Sequence, residues 1–492
     1  MQDDLYIGID LGTSSVKLLL LNGAGQILKK VSREYPISFP KEGWAEQDPD
    51  EWVDKTLDAL PELLQEADPA KVKGIGCGGQ MHGLVILDED DRVIRPVILW
   101  NDGRTAEETD YLNKTIGRDK VSGWTGNIAF AGFTAPKLLW LKKHEPENFM
   151  RIRKAMLPKD YLVYRLSGAF ATDYSDASGT LYLDVKNKCW SKEMLQILDL
   201  KEEYLPSLHE SYEAVGTLKP EIAARFSLSP DVVLAAGAGD NAAAAVGTGV
   251  TGPGACNISV GTSGTIFITG SHFVMDPNNA LHAFAHADGS YHLMGVTMSA
   301  ASCNKWWNEE ILNTSDFTAE QEKIGELGEN RVYFLPYLMG ERSPHNDADA
   351  RAAFVGMSMA TTRGEMTQAV LEGVAFAFRD SLEIAKAEGI VPAASRICGG
   401  GAKSAVWRRI LANVLDLPLE AVENEEGPGL GGAILSMVAC GAYDNVDTAA
   451  KAIVRVRETE TPDPELVAKY NARYQYFKKL YPALKAIREN RV

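Results

Sequence analysis

The 492-residue sequence lacks the features that mark a nucleic-acid-binding protein or a small stapled fold. Basic residues are in the minority, with 50 Lys and Arg against 67 Asp and Glu, and the resulting net charge of −17 repels a phosphate backbone. The six cysteines lie too far apart in the sequence for a metal knuckle. We therefore expect reduced thiols and no nucleic-acid partner.

Long apolar runs are also missing. The longest stretch without Asp, Glu, Lys or Arg covers residues 241–275, and glycines and a proline interrupt it, which excludes a spanning helix. Residues 1–4 are acidic, whereas a signal peptide begins with basic residues. The sequence thus predicts a cytoplasmic protein that does not contact membranes.

Two common nucleotide-binding signatures are absent or unconvincing. The dipeptide Gly-Lys does not occur, so there is no Walker-type phosphate loop. The pattern G-x-G-x-x-G begins at Gly74, Gly247 and Gly427, but none of the three opens a strand–turn–helix unit with a suitably placed acidic residue. A dinucleotide-dependent reductase is therefore disfavoured.

What the sequence does contain is a phrase that occurs twice, about half the chain apart. Residues 9–15 and residues 258–264 both join a short apolar strand to a Gly-Thr-Ser turn, and a second apolar strand follows each turn. Such a repeat indicates two related halves with a cleft between them. Asp10 of the first copy is replaced by Ser259 in the second.

Short apolar runs alternate with long helical patterns, which favours the α/β class. The apolar runs are residues 73–77, 232–236, 332–336 and 396–398, and the helical patterns are residues 362–386 and 405–414. From Leu466 onward, aromatic residues recur at helical spacing, which predicts an amphipathic helix docked on the second half.

Asp240 follows a predicted strand and the sequence Gly237-Ala238-Gly239, at the start of an alanine-rich helix. The position allows two interpretations. Asp240 could cap the helix, or it could be a base that the helix dipole keeps ionised while the glycines leave room for a substrate hydroxyl. The turns at residues 261–264 and 399–404 are rich in glycine and could bring backbone amides onto phosphate oxygens.

Longer motifs follow one another along nearly the whole chain. They cover residues 6–14, 79–83, 100–104, 132–140, 157–161, 239–241, 261–264, 340–345 and 399–401. In content and order these motifs resemble those of the FGGY family of carbohydrate kinases.

The resemblance implies two actin-like ATPase (ribonuclease H-like) domains that flank a deep cleft. Residues 1–248 would bind the sugar and carry out catalysis, and residues 249–492 would bind ATP. The implied reaction is ATP-dependent phosphorylation of D-xylulose to D-xylulose 5-phosphate. Two alternatives stay open: the same reaction on another ketose or polyol, and an ATP-driven binding protein of actin-like fold.

The resemblance also implies roles for single residues. Asp240 would be the general base and contact the sugar, and Asp10 would orient Mg²⁺ and the transferred phosphate. The remaining implied contacts are Met81, His82 and Trp100 for the sugar, and Gly261, Thr262, Gly400 and Gly401 for ATP. Arg342 could be a hinge residue, a phosphate neighbour or part of a structural ion pair. A homodimer is compatible with the sequence.

Overall fold

The computed structural model describes residues 3–489. Residues 1–2 and 490–492 lie outside the described residues, and with them the start of the acidic opening and the outer ends of the two expected domains.

The chain alternates strands and helices throughout, as the sequence predicts. The strands are β1 (Leu5–Leu11), β2 (Ser15–Asn22), β3 (Ile27–Glu34), β4 (Glu46–Gln47), β5 (Val72–Gly79), β6 (Val85–Leu87), β7 (Val97–Ile98), β8 (Lys154–Met156), β9 (Ala171–Asp173), β10 (Leu183–Asp184), β11 (Cys189–Trp190), β12 (Ser207–His209), β13 (Ala214–Thr217), β14 (Val233–Ala235), β15 (Ala238–Gly239), β16 (Cys256–Val260), β17 (Gly264–Gly270), β18 (His282–Ala285), β19 (Tyr291–Thr297), β20 (Tyr333–Leu335), β21 (Ala353–Val355), β22 (Ser395–Cys398), β23 (Leu419–Val422) and β24 (Val456–Glu460).

Helices of both halves pack against the strands of the sheets. They are α1 (Pro49–Leu63), α2 (Ala106–Asp110), α3 (Arg118–Thr125), α4 (Thr134–His144), α5 (Pro146–Arg151), α6 (Pro158–Ser167), α7 (Tyr174–Ala177), α8 (Lys192–Leu198), α9 (Pro220–Arg225), α10 (Asp240–Gly247), α11 (Ala301–Trp306), α12 (Phe317–Gln321), α13 (Arg363–Ala387), α14 (Ala405–Leu415), α15 (Gly427–Ala439), α16 (Val446–Ile453), α17 (Pro464–Phe477) and α18 (Leu480–Glu489). In the range 3–489, no helix is both long enough and apolar enough to cross a membrane.

Two seven-stranded sheets organise the two halves. The first has the order β13–β14–β5–β1–β2–β3, with β15 also paired to β5, and the second has the order β18–β19–β17–β16–β22–β23–β24. In each sheet an antiparallel hairpin, β1–β2 or β16–β17, lies beside a parallel strand, β5 or β22. The repeated sequence phrase therefore forms the same hairpin in both sheets, and the prediction of an α/β fold with two related units is confirmed.

Local sequence signals explain the long elements of the second half. Thr362 and Glu365 cap α13 reciprocally: the Glu365 amide donates to Thr362 Oγ1 at 3.2 Å, and the Thr362 amide donates to the Glu365 carboxylate at 2.7 Å.

The predicted strand at residues 332–336 does form, as β20, but it pairs with β21 in a separate two-stranded sheet.

The C-terminal aromatic residues form two helices, α17 and α18, where the sequence predicts one. Tyr470, Tyr474 and Phe477 are buried in the core of the second half, so the predicted docking is confirmed.

Helix α15 belongs to the second half of the chain but packs directly on the first sheet. A Cβ atom built on Gly8 of β1 would lie 1.9 Å from the carbonyl oxygen of Gly429, and one built on Gly76 of β5 would lie 2.0 Å from that of Gly432. A Cβ atom on Gly247 at the end of α10 would lie 2.0 Å from the Gly427 carbonyl oxygen. The two halves are thus joined backbone to backbone, with no side chain between them.

We predict that Gly76→Ala destabilises the protein by about 1–3 kcal/mol, because the new methyl group must push the Gly432 carbonyl away. Urea and thermal unfolding would measure the change. Gly123→Ala is the matched control, since Gly123 lies in α3 with no heavy atom within 4 Å of its added Cβ. A Gly76→Ala protein as stable as the Gly123→Ala protein would contradict the tight contact.

Candidate active site

Asp240 is the first residue of α10 and follows directly on β15, which pairs with the end of β5. Gly239 occupies the cap position, so the interpretation of Asp240 as an N-cap is not supported. The Asp240 carboxylate accepts hydrogen bonds from the backbone amide of Asn241 at 2.8 Å and from its side-chain amide at 3.1 Å. It keeps a partly exposed position at the helix end.

The electrostatic setting of Asp240 differs from the sequence-based expectation. Burial raises the pKa of Asp240 to about 7, and the charge of Asp10 adds to the rise, while the Asn241 amide opposes it. We expected the helix N-terminus to keep this carboxylate ionised, but burial, which acts in the opposite direction, is the largest cause of its shifted pKa. A carboxylate with this pKa can take up a proton near neutral pH.

Asp10 lies near the end of β1, opposite Lys17 of β2 and Gly78 of β5. Burial raises the pKa of Asp10 to about 6, although the positive charge of Lys17 lowers it. Between residues 3 and 489, no three His, Cys, Asp or Glu side chains converge in a way that could hold a metal ion. The predicted role of Asp10 toward Mg²⁺ and the transferred phosphate stays a prediction.

Met81 and His82 follow β5 in a turn in which His82 has a φ of 70°. The carbonyl of His82 accepts hydrogen bonds from the buried Lys137 Nζ at 2.7 Å and from Thr134 Oγ1 at 3.1 Å, which fixes this left-handed backbone. Met81 Sδ lies 3.9 Å from Asn241 Nδ2. The predicted sugar loop is thus brought next to Asp240.

The His82 ring is held in one tautomer. Nδ1 lies 2.8 Å from the Gly179 carbonyl oxygen, which can only accept, so Nδ1 carries the proton. The pKa of His82 is lowered to about 3, mainly by burial and in addition by the positive charges of Lys137 and Arg342, while the hydrogen bond to Gly179 opposes the shift. Phe133 stacks on the ring at 4.7 Å, and Nε2 has no hydrogen-bond partner in the described chain. This neutral nitrogen can accept a hydrogen bond from a ligand hydroxyl.

Trp100 is 46% exposed, and its indole Nε1 donates to Thr13 Oγ1 at 2.9 Å. Thr13 belongs to the turn between β1 and β2, so the Trp100 side chain contacts the first Gly-Thr turn. Its predicted role as a pocket wall stays a prediction.

The predicted nucleotide turns come together in the second half. Thr262, Gly400 and Gly401 line a cavity of about 440 Å³, and Gly261 adjoins it by accepting a hydrogen bond from the Ala301 amide at 2.7 Å. A Cβ atom on Gly400 would meet no atom within 4 Å, whereas one on Gly401 would lie 2.4 Å from Val260 Cγ1. The first glycine thus leaves its backbone open to a ligand, and the second allows close packing.

Three lining residues of this cavity, Phe317, Thr318 and Gln321, come from a segment in which the sequence shows no motif. Gln321 Oε1 accepts a hydrogen bond from Ser404 Oγ at 2.7 Å, which ties α12 to the turn that holds Gly400 and Gly401. No local signal could have found them, because they reach the cavity only through tertiary packing.

A buried ion cluster lies beneath the Asp240 helix. Lys159 Nζ is 2.6 Å from the Asp160 carboxylate and 3.0 Å from that of Asp173, and it donates to the Ala236 carbonyl at 3.1 Å. Ser175 Oγ donates to Asp173 at 2.5 Å and accepts from the Gly239 amide at 3.2 Å. The cluster therefore fixes the backbone on which Asp240 is mounted. Its lysine and first aspartate belong to the motif at residues 157–161.

Comparisons with known proteins agree with this arrangement. Residues 5–247 match the N-terminal domain of the FGGY family of carbohydrate kinases, and residues 256–440 match its C-terminal domain. The chain is 41% identical over 484 residues to the xylulose kinase of Escherichia coli strain K12, with 98% of this chain and 99% of that protein covered.

Solved structures show the same similarity. A xyloylose kinase from Brucella ovis is 40% identical with a TM-score of 0.94, covering 98% of this chain and 100% of that one. A gluconate kinase from Lactobacillus acidophilus is 28% identical with a TM-score of 0.93, covering 98% of both chains. The chain belongs to the FGGY family of carbohydrate kinases.

Proposed function

We propose that this protein transfers the γ-phosphoryl group of ATP to the terminal hydroxyl of D-xylulose, giving D-xylulose 5-phosphate and ADP. The observation that carries the proposal is the 41% identity, over 98% of the chain, to a xylulose kinase. The site supports it, since Asp240, Met81 and His82 are grouped in the first half, and the cavity bounded by Thr262, Gly400 and Gly401 lies in the second.

In the proposed reaction, Asp240 accepts the proton of the O5 hydroxyl while O5 forms its bond to the γ-phosphorus. The bond between that phosphorus and the β–γ bridging oxygen breaks, and ADP leaves with the bridging oxygen. His82 Nε2 accepts a hydrogen bond from another sugar hydroxyl and so orients the substrate. Backbone amides of the turns at Gly261 and Gly400 hold phosphate oxygens, and closure of the two halves brings the reacting groups in line.

We further propose that Asp10 holds Mg²⁺ with the phosphates. The ion, when bound, offsets negative charge on the transferred group. Asp10 is suited to this role because no hydrogen bond within the described chain occupies its carboxylate, and because it lies close enough to Asp240 to raise the pKa of that residue.

The division of labour belongs to the same proposal: residues 1–248 bind the sugar, and residues 249–492 bind ATP. The extents of the two family matches, 5–247 and 256–440, support a boundary near residue 248. We also place the protein in the cytoplasm, where ATP is available and where its six cysteines, all unpaired in the structure, stay reduced. A homodimer stays a prediction.

A second candidate substrate is another sugar or sugar acid, since a gluconate kinase shares the fold at a TM-score of 0.93. A panel of ketoses, polyols and aldonates assayed for ADP release would decide between them. ATP turnover that no sugar stimulates would instead favour an ATP-driven binding protein.

Asp240→Asn should lower kcat about 10²- to 10⁴-fold, because it removes the proton acceptor and keeps the shape of the side chain. Sugar-dependent ADP release would measure the loss, and calorimetry should show that D-xylulose and ATP still bind. Asp231→Asn, at an exposed acidic residue of the same half, is the control and should retain full activity. Near-normal turnover of Asp240→Asn would remove Asp240 from its role.

The pH dependence follows from the pKa of Asp240, which burial raises to about 7. Only the ionised carboxylate can accept the hydroxyl proton, so kcat/KM for the sugar should rise with pH, reach half of its maximum at about pH 7 and become level above about pH 8. Initial rates between about pH 5 and about pH 9 would give the profile. A profile that stays level down to the lower limit would show that the base ionises well below this value.

His82→Ala should raise the KM for D-xylulose about 5- to 100-fold, because one buried hydrogen bond to a sugar hydroxyl is lost. The KM for ATP should be unchanged, since the nucleotide cavity lies in the other half. His209→Ala, at a half-buried histidine on β12 whose ring contacts Ser207 and Glu213, is the matched control. Equal weakening of sugar and ATP would contradict the proposed division between the halves.

A further inference from the structure

Arg342 is a cation of the second half that lies against the first half without a counterion. Its guanidinium carbon is 4.9 Å from the centre of the Phe130 ring. Among residues 3–489, no carboxylate or other acceptor lies within hydrogen-bond or ion-pair distance of its guanidinium nitrogens. The structural ion pair considered for Arg342 from the sequence is therefore absent from the described chain.

The neighbouring Glu341 does not fill this role, because its carboxylate is already occupied. It accepts hydrogen bonds from the backbone amides of Met298 at 2.9 Å and Arg342 at 2.8 Å, and from the Thr297 hydroxyl. Ser343 anchors the other side of the loop: its amide donates to the Val296 carbonyl at 2.9 Å. The loop is rigid, yet it presents a half-buried positive charge with unused donors. A ligand that offers acceptors can replace the water around these donors.

A chain of aromatic rings connects Arg342 to the sugar loop. Phe130, under the guanidinium, lies 5.5 Å from Phe133, and Phe133 stacks on His82 at 4.7 Å. Burial is the main cause of the low pKa of His82, and the charge of Arg342 adds to it. The groups that shift the pKa of Asp240 are Asn241 and Asp10 instead. Arg342 is therefore near the His82 end of the pocket and away from the Asp240 end.

The position of Arg342 near the His82 end of the pocket determines which part of a bound sugar it can contact. The proposed reaction places O5 of a ketopentose at Asp240. If the carbon chain then extends past Met81, whose sulfur lies 3.9 Å from Asn241 Nδ2, its C1 and C2 oxygens would lie toward His82. Both of these oxygens, a hydroxyl and a carbonyl, can accept hydrogen bonds from a guanidinium, which carries five donors in a planar fork.

We propose that Arg342 donates hydrogen bonds from the second half to the C1 hydroxyl and C2 carbonyl oxygens of the bound ketose. The proposal rests on the proposed function, since it names the part of the substrate that this side chain recognises. It makes Arg342 a substrate-binding residue of the half that otherwise holds the nucleotide.

The same loop also leads to the nucleotide turn. Glu341 holds Met298, and shortly after it the amides of Ala300 and Ala301 donate to the carbonyls of Thr262 and Gly261 at 3.0 and 2.7 Å. A sugar held by His82 on one side and Arg342 on the other therefore bridges the halves, and it does so through a segment bonded to the Gly261–Thr262 turn.

The test compares Arg342→Gln and Arg342→Lys with the control Arg351→Gln. Arg351 is an exposed arginine of the same region that donates only to the carbonyls of Ala348 and Ala350. Calorimetry would give the Kd of D-xylulose, of 1-deoxy-D-xylulose, which lacks the C1 hydroxyl, and of xylitol, which lacks the C2 carbonyl. Steady-state rates on D-xylulose would be measured alongside.

We expect Arg342→Gln to weaken D-xylulose binding about 10- to 100-fold and to weaken at least one analogue clearly less. Arg342→Lys should fall between, since it keeps the charge and loses the fork, and Arg351→Gln should bind like wild type. The Kd of ATP without sugar and the melting temperature should not change. Equal weakening of all three ligands, or none, would overturn the proposal.

The experiment also distinguishes two further outcomes: loss of stability in the Arg342→Gln protein, and failure of the proposed function. If Arg342→Gln melts early, the Arg342→Lys protein decides, and wild-type affinity for all three ligands in that folded variant would overturn the proposal. If the wild-type protein does not phosphorylate D-xylulose, the proposed function fails. The Arg342 contact would then be tested with the best sugar of the panel and its 1-deoxy and 2-reduced analogues, with the same criterion.

Discussion

The contact of helix α15 with the backbones of β1 and β5 sets the positions of Asp10, of the turn at Met81 and His82, and of Asp240. β1 carries Asp10 near its end, β5 leads into Met81 and His82, and α10, which begins at Asp240, crosses α15 at Gly247. Because carbonyl oxygens meet glycines at these crossings, no flexible side chain can absorb a displacement. Helix α15 is therefore held tightly on the first sheet, and the ends of three elements are fixed against one another.

A second constraint acts below Asp240. Lys159 and its carboxylate partners are fully buried, and such a cluster is a poor source of stability because each charge loses its hydration. The hydrogen bonds of this cluster are nevertheless directional, so they fix the positions of the backbone groups that take part in them. Through Ser175 they hold the Gly239 amide, and through Ala236 they hold the strand that leads to it. The backbone that carries Asp240 is therefore held by a buried network of polar contacts.

The two carboxylates of the cleft share one environment, and it suits a proton acceptor. Burial raises the pKa of Asp240 to about 7 and that of Asp10 to about 6. A base is most effective when its pKa lies near the working pH, because it is then both available and strong enough. In the second half the residues that line the cavity offer backbone groups, hydroxyls and two lysines, Lys305 and Lys403, instead of carboxylates. Such groups suit the phosphate binding that we propose. Arg342, also of that half, lies against Phe130 of the first half.

The sequence by itself determined the features that contiguous residues encode. The repeated strand–turn–strand phrase, the alternation of strands and helices, and the turns at Asp240, Gly261 and Gly400 are all local patterns, and backbone geometry ties each to one conformation. The grouping of the predicted site residues Asp10, Asp240, Met81 and His82 could be anticipated from the same motifs, although their roles stay predictions.

Only the tertiary structure decided the rest. Four features depend on residues that are distant in the chain. They are the raised pKa of Asp240, the ion cluster around Lys159, the contribution of Gln321 to the cavity of the second half, and the position of the Arg342 guanidinium over Phe130. A short stretch of sequence does not predict which distant residues will contact it. Burial, and with it the energy of a charge or an unmade hydrogen bond, is a property of the packed molecule, because it depends on which distant segments exclude water from the group.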